Sequence, residues 1–95
     1  MAHMFALMRL GMATAVLAVL FAAPAAASED EYLEGLQDRY TFLTADPLLS
    51  EGYRVCAASS AGVLAPDAVI MVRKDLGVAT GAAMDIVSAA LHDLC

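Results

Sequence analysis

Three side chains near the C-terminal end have the types a hydrolase needs: Asp85, Ser88 and His92. At helical spacing they share one face, and an acid–imidazole–hydroxyl relay would make Ser88 a nucleophile. The spacing defeats the relay. Ser88 and His92 are one turn apart, but Asp85 and His92 are about 10 Å apart along the axis at 1.5 Å per residue. The acid then cannot orient the imidazole, which is its task in a triad. No glycine-rich turn precedes Ser88 to build an oxyanion hole. A solvated helix face accounts for all three residues, and the chain reads as a non-enzyme.

Other groupings suggest binding rather than catalysis. Glu29, Asp30, Glu31 and Glu34 form an acidic cluster. A calcium site would space its ligands around a loop with a glycine at its middle, which is missing here, so a helix-start charge run is the simpler account. Tyr32, Tyr40, Phe42 and Tyr53 could line a pocket for a flat apolar ligand such as haem, with His92 or a tyrosine on the iron. Aromatics at this spacing more often make core. There is no phosphate-cradling loop and no zinc-ligand pair at helical spacing. No cofactor and no metal is expected.

Charge narrows the partners. The 95 residues hold 11 acids and five Lys or Arg, a formal charge of −6. All the acids lie after residue 27, with only Arg39, Arg54, Arg73 and Lys74 against them, so residues 28–95 carry −7. A nucleic-acid surface must be basic to displace counterions, and an anionic membrane would repel this chain. An unidentified protein partner remains open, as does the oligomeric state.

Residues 1–27 read as a targeting segment. Arg9 is followed by the uncharged run Leu10 to Phe21 and then by Ala22-Ala23-Pro24-Ala25-Ala26-Ala27. A positive start, an apolar stretch and a small-residue exit make a secretory signal peptide. Small residues at the −3 and −1 positions allow a cut between Ala27 and Ser28, or one before Ala26. An uncleaved anchor is the rival reading, since Leu10 to Ala27 is near the lower length limit for spanning a membrane. Pro24 and the alanines weigh against it. The expected locale is extracellular or the cell envelope.

Export gives the two cysteines, Cys56 and Cys95, a meaning. Disulfides persist outside the cytoplasm, and two thiols allow a single internal pairing. The rivals are a reactive free thiol, an intermolecular bridge and a metal site with His92 as third ligand. A domain of about 68 residues buries little surface and needs a staple. Closing a loop of about 40 residues supplies roughly 4 kcal/mol in the chain-entropy account.

Four short helices must position these groups. Ser28-Glu29-Asp30-Glu31 has the form of a capping box, and Tyr32, Leu33, Leu36, Tyr40 and Leu43 then recur at helical spacing, predicting a helix from Ser28 to Thr44. Asp46-Pro47 should cap and start a second helix ending near Ser60, its inner face Leu48, Leu49, Gly52, Tyr53 and Cys56. Gly52 in mid-helix suggests close approach by a neighbour. Ala65-Pro66-Asp67 starts a third helix and Arg73-Lys74 closes it. Thr80 should cap the fourth, with the stripe Met84, Val87, Leu91, Leu94 and Cys95. The fold expected is all-α: a small orthogonal or antiparallel bundle of about four helices, one disulfide, and a signal helix ahead of it.

Asp30-Glu31-Tyr32-Leu33 with Leu36, then Gly52-Tyr53-Arg54-Val55-Cys56 and Gly62, then a helix ending in cysteine, resembles a mycobacterial exported family catalogued as domain of unknown function 732. The likeness covers residues 29–95. It departs from the family pattern at Asp75-Leu76-Gly77, where members often carry an Asn-Pro-Gly-like turn, and at Leu94-Cys95, where they often end Tyr-Cys-Pro. The resemblance implies a small, helical, disulfide-linked exported protein and brings no activity with it. The function expected is a non-enzymatic interaction or structural module of the envelope or exterior. The alternative is a small carrier of an apolar ligand such as haem or lipid.

Overall fold

The computed structural model describes residues 26–95; of the expected targeting segment, residues 1–25 lie outside the described part. Among the described residues there are four α-helices and no strand. They are α1 (26–39), α2 (Ala45–Ser60), α3 (Ala65–Leu76) and α4 (Thr80–Ala89), and α4 runs on into a π-helical turn, Ala90–Leu94. A disulfide joins Cys56 in α2 to Cys95, with 5.3 Å between the Cα atoms. The all-α, single-bridge architecture expected from the sequence is the one the chain adopts.

The helix starts differ from expectation in instructive ways. Ala26 and Ala27 are already helical, so Ser28 sits within α1 rather than capping it. That helix stops at residue 39 rather than at Thr44. Tyr40-Thr41-Phe42 combines aromatic and β-branched residues of low helix propensity. The chain turns there, with the Leu43 N–H on the Tyr40 carbonyl and the Gln37 side-chain amide on the Leu43 carbonyl. Thr44, not Asp46, is the N-cap of α2. Asp46 and Pro47 therefore fall within the first turn, where a missing N–H costs nothing and a carboxylate meets the positive helix end. Ala79 caps α4, leaving Thr80 as its first helical residue. Helix α3 starts at Ala65 with Pro66 beside it and stops at Gly77, whose φ of 66° few side chains tolerate.

Each helix buries a narrow stripe. Tyr32 and Leu36 come from α1, Leu48 and Val55 from α2, Ala68 and Val72 from α3. From α4 and the π turn come Ala83, Ile86, Val87 and Ala90. The inner faces of α2 and α4 are thus rotated from those expected. Leu48 and Gly52 face inward, but Tyr53 is 45% exposed while Glu51 and Val55 are buried. In α4 and the π turn that follows it, Val87 is buried, whereas Met84 and Leu91 are 55% and 39% exposed. Alanines take their place, which lets neighbouring helix axes approach closely.

Candidate functional site

Two seams run through this bundle, and they differ in what they do with their apolar side chains. The first brings α1, α2 and the C-terminal turn together around Gly52. A Cβ at that position would lie 2.5 Å from Leu94 Cδ1 and 2.8 Å from the Tyr32 hydroxyl, so only glycine admits both neighbours. Tyr32 is wholly buried and donates its hydroxyl hydrogen to the Leu48 carbonyl at 2.7 Å. The π turn delivers the other side of the seam: the Cys95 N–H bonds back five residues to the Ala90 carbonyl. That wider turn sets the direction in which Leu94 and Cys95 leave the helix, one toward Gly52 and the other onto Cys56.

Glu51 is the one buried charged residue of this seam and was not singled out by the sequence reading. It is 6% exposed, and its Oε1 has no hydrogen-bond partner. Removal from water, first, and then a hydrogen bond with Asp75 and that carboxylate's charge push its pKa up to about 7; Arg54 opposes them. Arg54 is itself paired with Asp75 at 3.2 Å. Burial of the Tyr32 phenol, helped by Glu51, raises its pKa beyond the range where it would ionise. The signal was present in the sequence as an acid at the i+3 position from Leu48, but helical period alone does not say where a stripe's edge falls.

The face carrying Asp85, Ser88 and His92 forms a shallow groove against α1, about 560 Å³ in volume, with Arg39 and Leu36 opposite. The three residues share it without forming a relay. Arg39 donates to the Asp85 carboxylate at 3.0 Å, and the Tyr40 hydroxyl donates to the same oxygen. That hydrogen bond raises the Tyr40 pKa. His92 pairs with Asp93 at 2.7 Å, which raises the imidazole's pKa, and no hydrogen bond joins it to Ser88 among the described residues. Asp85 thus ties α4 to α1 as a structural acceptor.

The remaining candidates are scattered. Glu29 accepts a hydrogen bond from the Tyr53 hydroxyl, a tie between α1 and α2 that raises the Tyr53 pKa. No group of three or more side chains suited to holding a metal occurs among the described residues. The four aromatics do not converge on one cavity: Tyr32 is in the core, Tyr40 and Phe42 stack edge to face at the α1–α2 turn, and Tyr53 lies on the surface.

The second seam is the site that the sequence did not announce. Between α3 and α4 runs an apolar groove of about 460 Å³. Pro66, Val69, Ile70 and Arg73 form one wall, and Thr80, Met84, Val87 and Leu91 the other. Ile70 and Met84 are each about half exposed on its rim, at 49% and 55%. Its end nearest the α3–α4 connection is cationic, since Arg73 lines it and Lys74 borders the adjoining hollow. Arg39 and Arg54 have carboxylate partners, whereas Arg73 and Lys74 have none among the described residues. A hint did exist: Ala68 to Val72 is a five-residue apolar run, and a helix cannot bury all sides of such a run against one layer. No described helix is long and apolar enough to cross a membrane. The sequence matches no family model, no curated protein and no solved structure.

Proposed function

We propose that this chain is an exported, non-enzymatic interaction module whose docking face is the groove between α3 and α4. The observation that carries the reading is the placement of Ile70, Met84 and Leu91. Beside a core that already holds Tyr32, Leu36, Leu48 and Ile86, these three large apolar side chains are left along one surface channel. Large apolar side chains that share one channel offer a partner surface to bury. The Cys56–Cys95 bridge supports an oxidising locale, and the Arg9-to-Ala27 pattern supports export with a cut before Ser28 or before Ala26. The motif likeness to the exported family of domain 732 fits the same picture.

A carrier of an apolar small molecule is the second reading, because the groove's volume falls in the range of ligand sites. Its openness weighs against it. Carriers enclose most of their ligand's surface, whereas both rims here are half exposed. Titrating haemin and a fluorescent fatty acid into the oxidised protein separates the two. The module reading expects no saturable signal. One-site binding that disappears in Met84→Asp would replace it with the carrier.

A further inference from the structure

Taking the α3–α4 groove as a docking face, we infer that its occupant is a second copy of this chain, paired about a two-fold axis at Ile70 of α3. The reason lies in the order of side chains along the outer side of α3. Asp67, Ile70 and Arg73 follow one another at intervals of three, with Lys74 one turn beyond Ile70. The acid therefore lies about 4.5 Å before the apolar residue along the helix axis, and the cations about 4.5–6 Å after it. All four side chains are exposed. Asp67, Arg73 and Lys74 have no ion-pair partner among the described residues, although Arg39 and Arg54 do.

A stripe that reads acid, apolar, base is complementary to itself when reversed. Two α3 helices laid antiparallel about Ile70 set Asp67 of each copy over the Arg73–Lys74 end of the other, twice by symmetry. Such self-matching is what a two-fold interface requires. Ile70 of each copy then enters the other's groove beside Met84, whose unbranched thioether adapts to the incoming surface. The overall charge makes this face selective. Residues 28–95 carry −7, so two copies approaching by most other surfaces bring acid against acid. Among the described residues, Arg73 and Lys74 on the α3 stripe are the Lys and Arg side chains without a carboxylate partner.

The test is oligomeric mass in solution, by sedimentation of the purified oxidised protein over a concentration series. The wild-type mass should rise from that of one chain toward twice that value. Asp67→Lys alone should weaken pairing at least tenfold, because its new lysine faces Arg73 and Lys74 of the second copy. Arg73→Glu with Lys74→Glu should weaken it likewise, by setting acids against Asp67. Mixing these two proteins should restore pairing as a mixed dimer, since every contact across the axis is then between opposite charges. All three positions are exposed, so folding is not the variable, and unchanged circular dichroism checks this.

Wild-type protein that stays at the mass of one chain at millimolar concentration would overturn the pairing. So would an Asp67→Lys variant that dimerises as well as wild type, or two variants that fail to rescue each other. The docking-face reading has a separate point of failure, because haemin or fatty acid held in the groove would replace it whatever the mass.

Discussion

The seam around Gly52 and the groove between α3 and α4 are both built from short amphipathic helices, yet one is closed and the other open. At the seam a glycine removes the side chain from the point of closest approach, so Tyr32 and Leu94 press against the α2 backbone. A covalent bond then holds the turn that delivers Leu94. Along the groove, α3 offers Pro66, Val69 and Ile70 beside its buried Ala68 and Val72, which is more apolar surface than one stripe can hide. The difference separates the two uses of an apolar side chain in a small domain. Those at the seam hold the fold together, and those on the groove are available to something else.

The largest effect expected from breaking this contrast is at the bridge. Cys56→Ser should lower unfolding free energy by about 2–5 kcal/mol, because the closed loop spans a sequence separation of 39 and the domain has little else to hold its end in place. Denaturant melts of wild type, wild type with reductant and the variant should place the last two together, well below the first. A variant melting with the oxidised wild type would mean that the seam is held by packing alone.

Glu51 gives the seam a dependence on pH that the groove does not share. Its folded pKa of about 7 lies above the ordinary carboxyl value of 4.5, so the folded state holds its proton more tightly than the unfolded chain. This group's favourable contribution is complete below about pH 4.5 and is lost as pH rises to about 7. The full loss is on the order of 3 kcal/mol at most. The charged and titratable groups around it are Asp75 of α3, Arg54 of its own helix and Tyr32 of α1. Glu51→Gln keeps the shape and removes the proton equilibrium. It should melt higher than wild type at pH 8 and show a flatter profile between pH 5 and 8. Parallel profiles for the two proteins would mean that the carboxyl is solvated in solution.

Much of the seam was legible in the sequence, and most of the groove was not. The pairing of Cys56 with Cys95, the inward direction of Leu48 and the close approach at Gly52 follow from residue types that have few other uses at those positions. The burial of Glu51 did not follow, because hydropathy places an acid outside and only the rotation of α2 brings it in. Met84 and Leu91 failed for the converse reason. On hydropathy they outrank Ala83 and Ala90, yet the alanines face inward because a small side chain lets α4 lie closer to its neighbours. Asp85, Ser88 and His92 do share a face as their spacing requires, but the partners that claim Asp85 come from 45 and 46 residues earlier in the chain. Nothing local announces them.

Gly52→Ala probes the seam on a finer scale. The added methyl meets the wholly buried Tyr32 ring on one side and Leu94 on the other. Leu94 meets the methyl with the far end of its flexible side chain, which can turn aside, whereas Tyr32 is held by its bond to the Leu48 carbonyl. Overpacking of this kind costs about 1–3 kcal/mol, and the better helix propensity of alanine returns about 1. A net loss of up to about 2 kcal/mol in denaturant melts is expected. At an open helix position the same change would stabilise, so a gain would show that the seam is looser than its geometry.

The smallest effect is predicted at the groove, and it sharpens the comparison most. Met84→Ser and Ile70→Ser remove large apolar groups that are already about half in water, so each should change the stability of the single chain by less than about 0.5 kcal/mol. Ile86 is only two residues from Met84 on α4 but is fully buried, and Ile86→Ala should cost about 2–5 kcal/mol. These melts belong at dilute concentration, where pairing does not add its own free energy to the fold. If Met84→Ser and Ile86→Ala destabilised the chain equally, the groove would be part of the core, and nothing would be left on that face for a partner to bind.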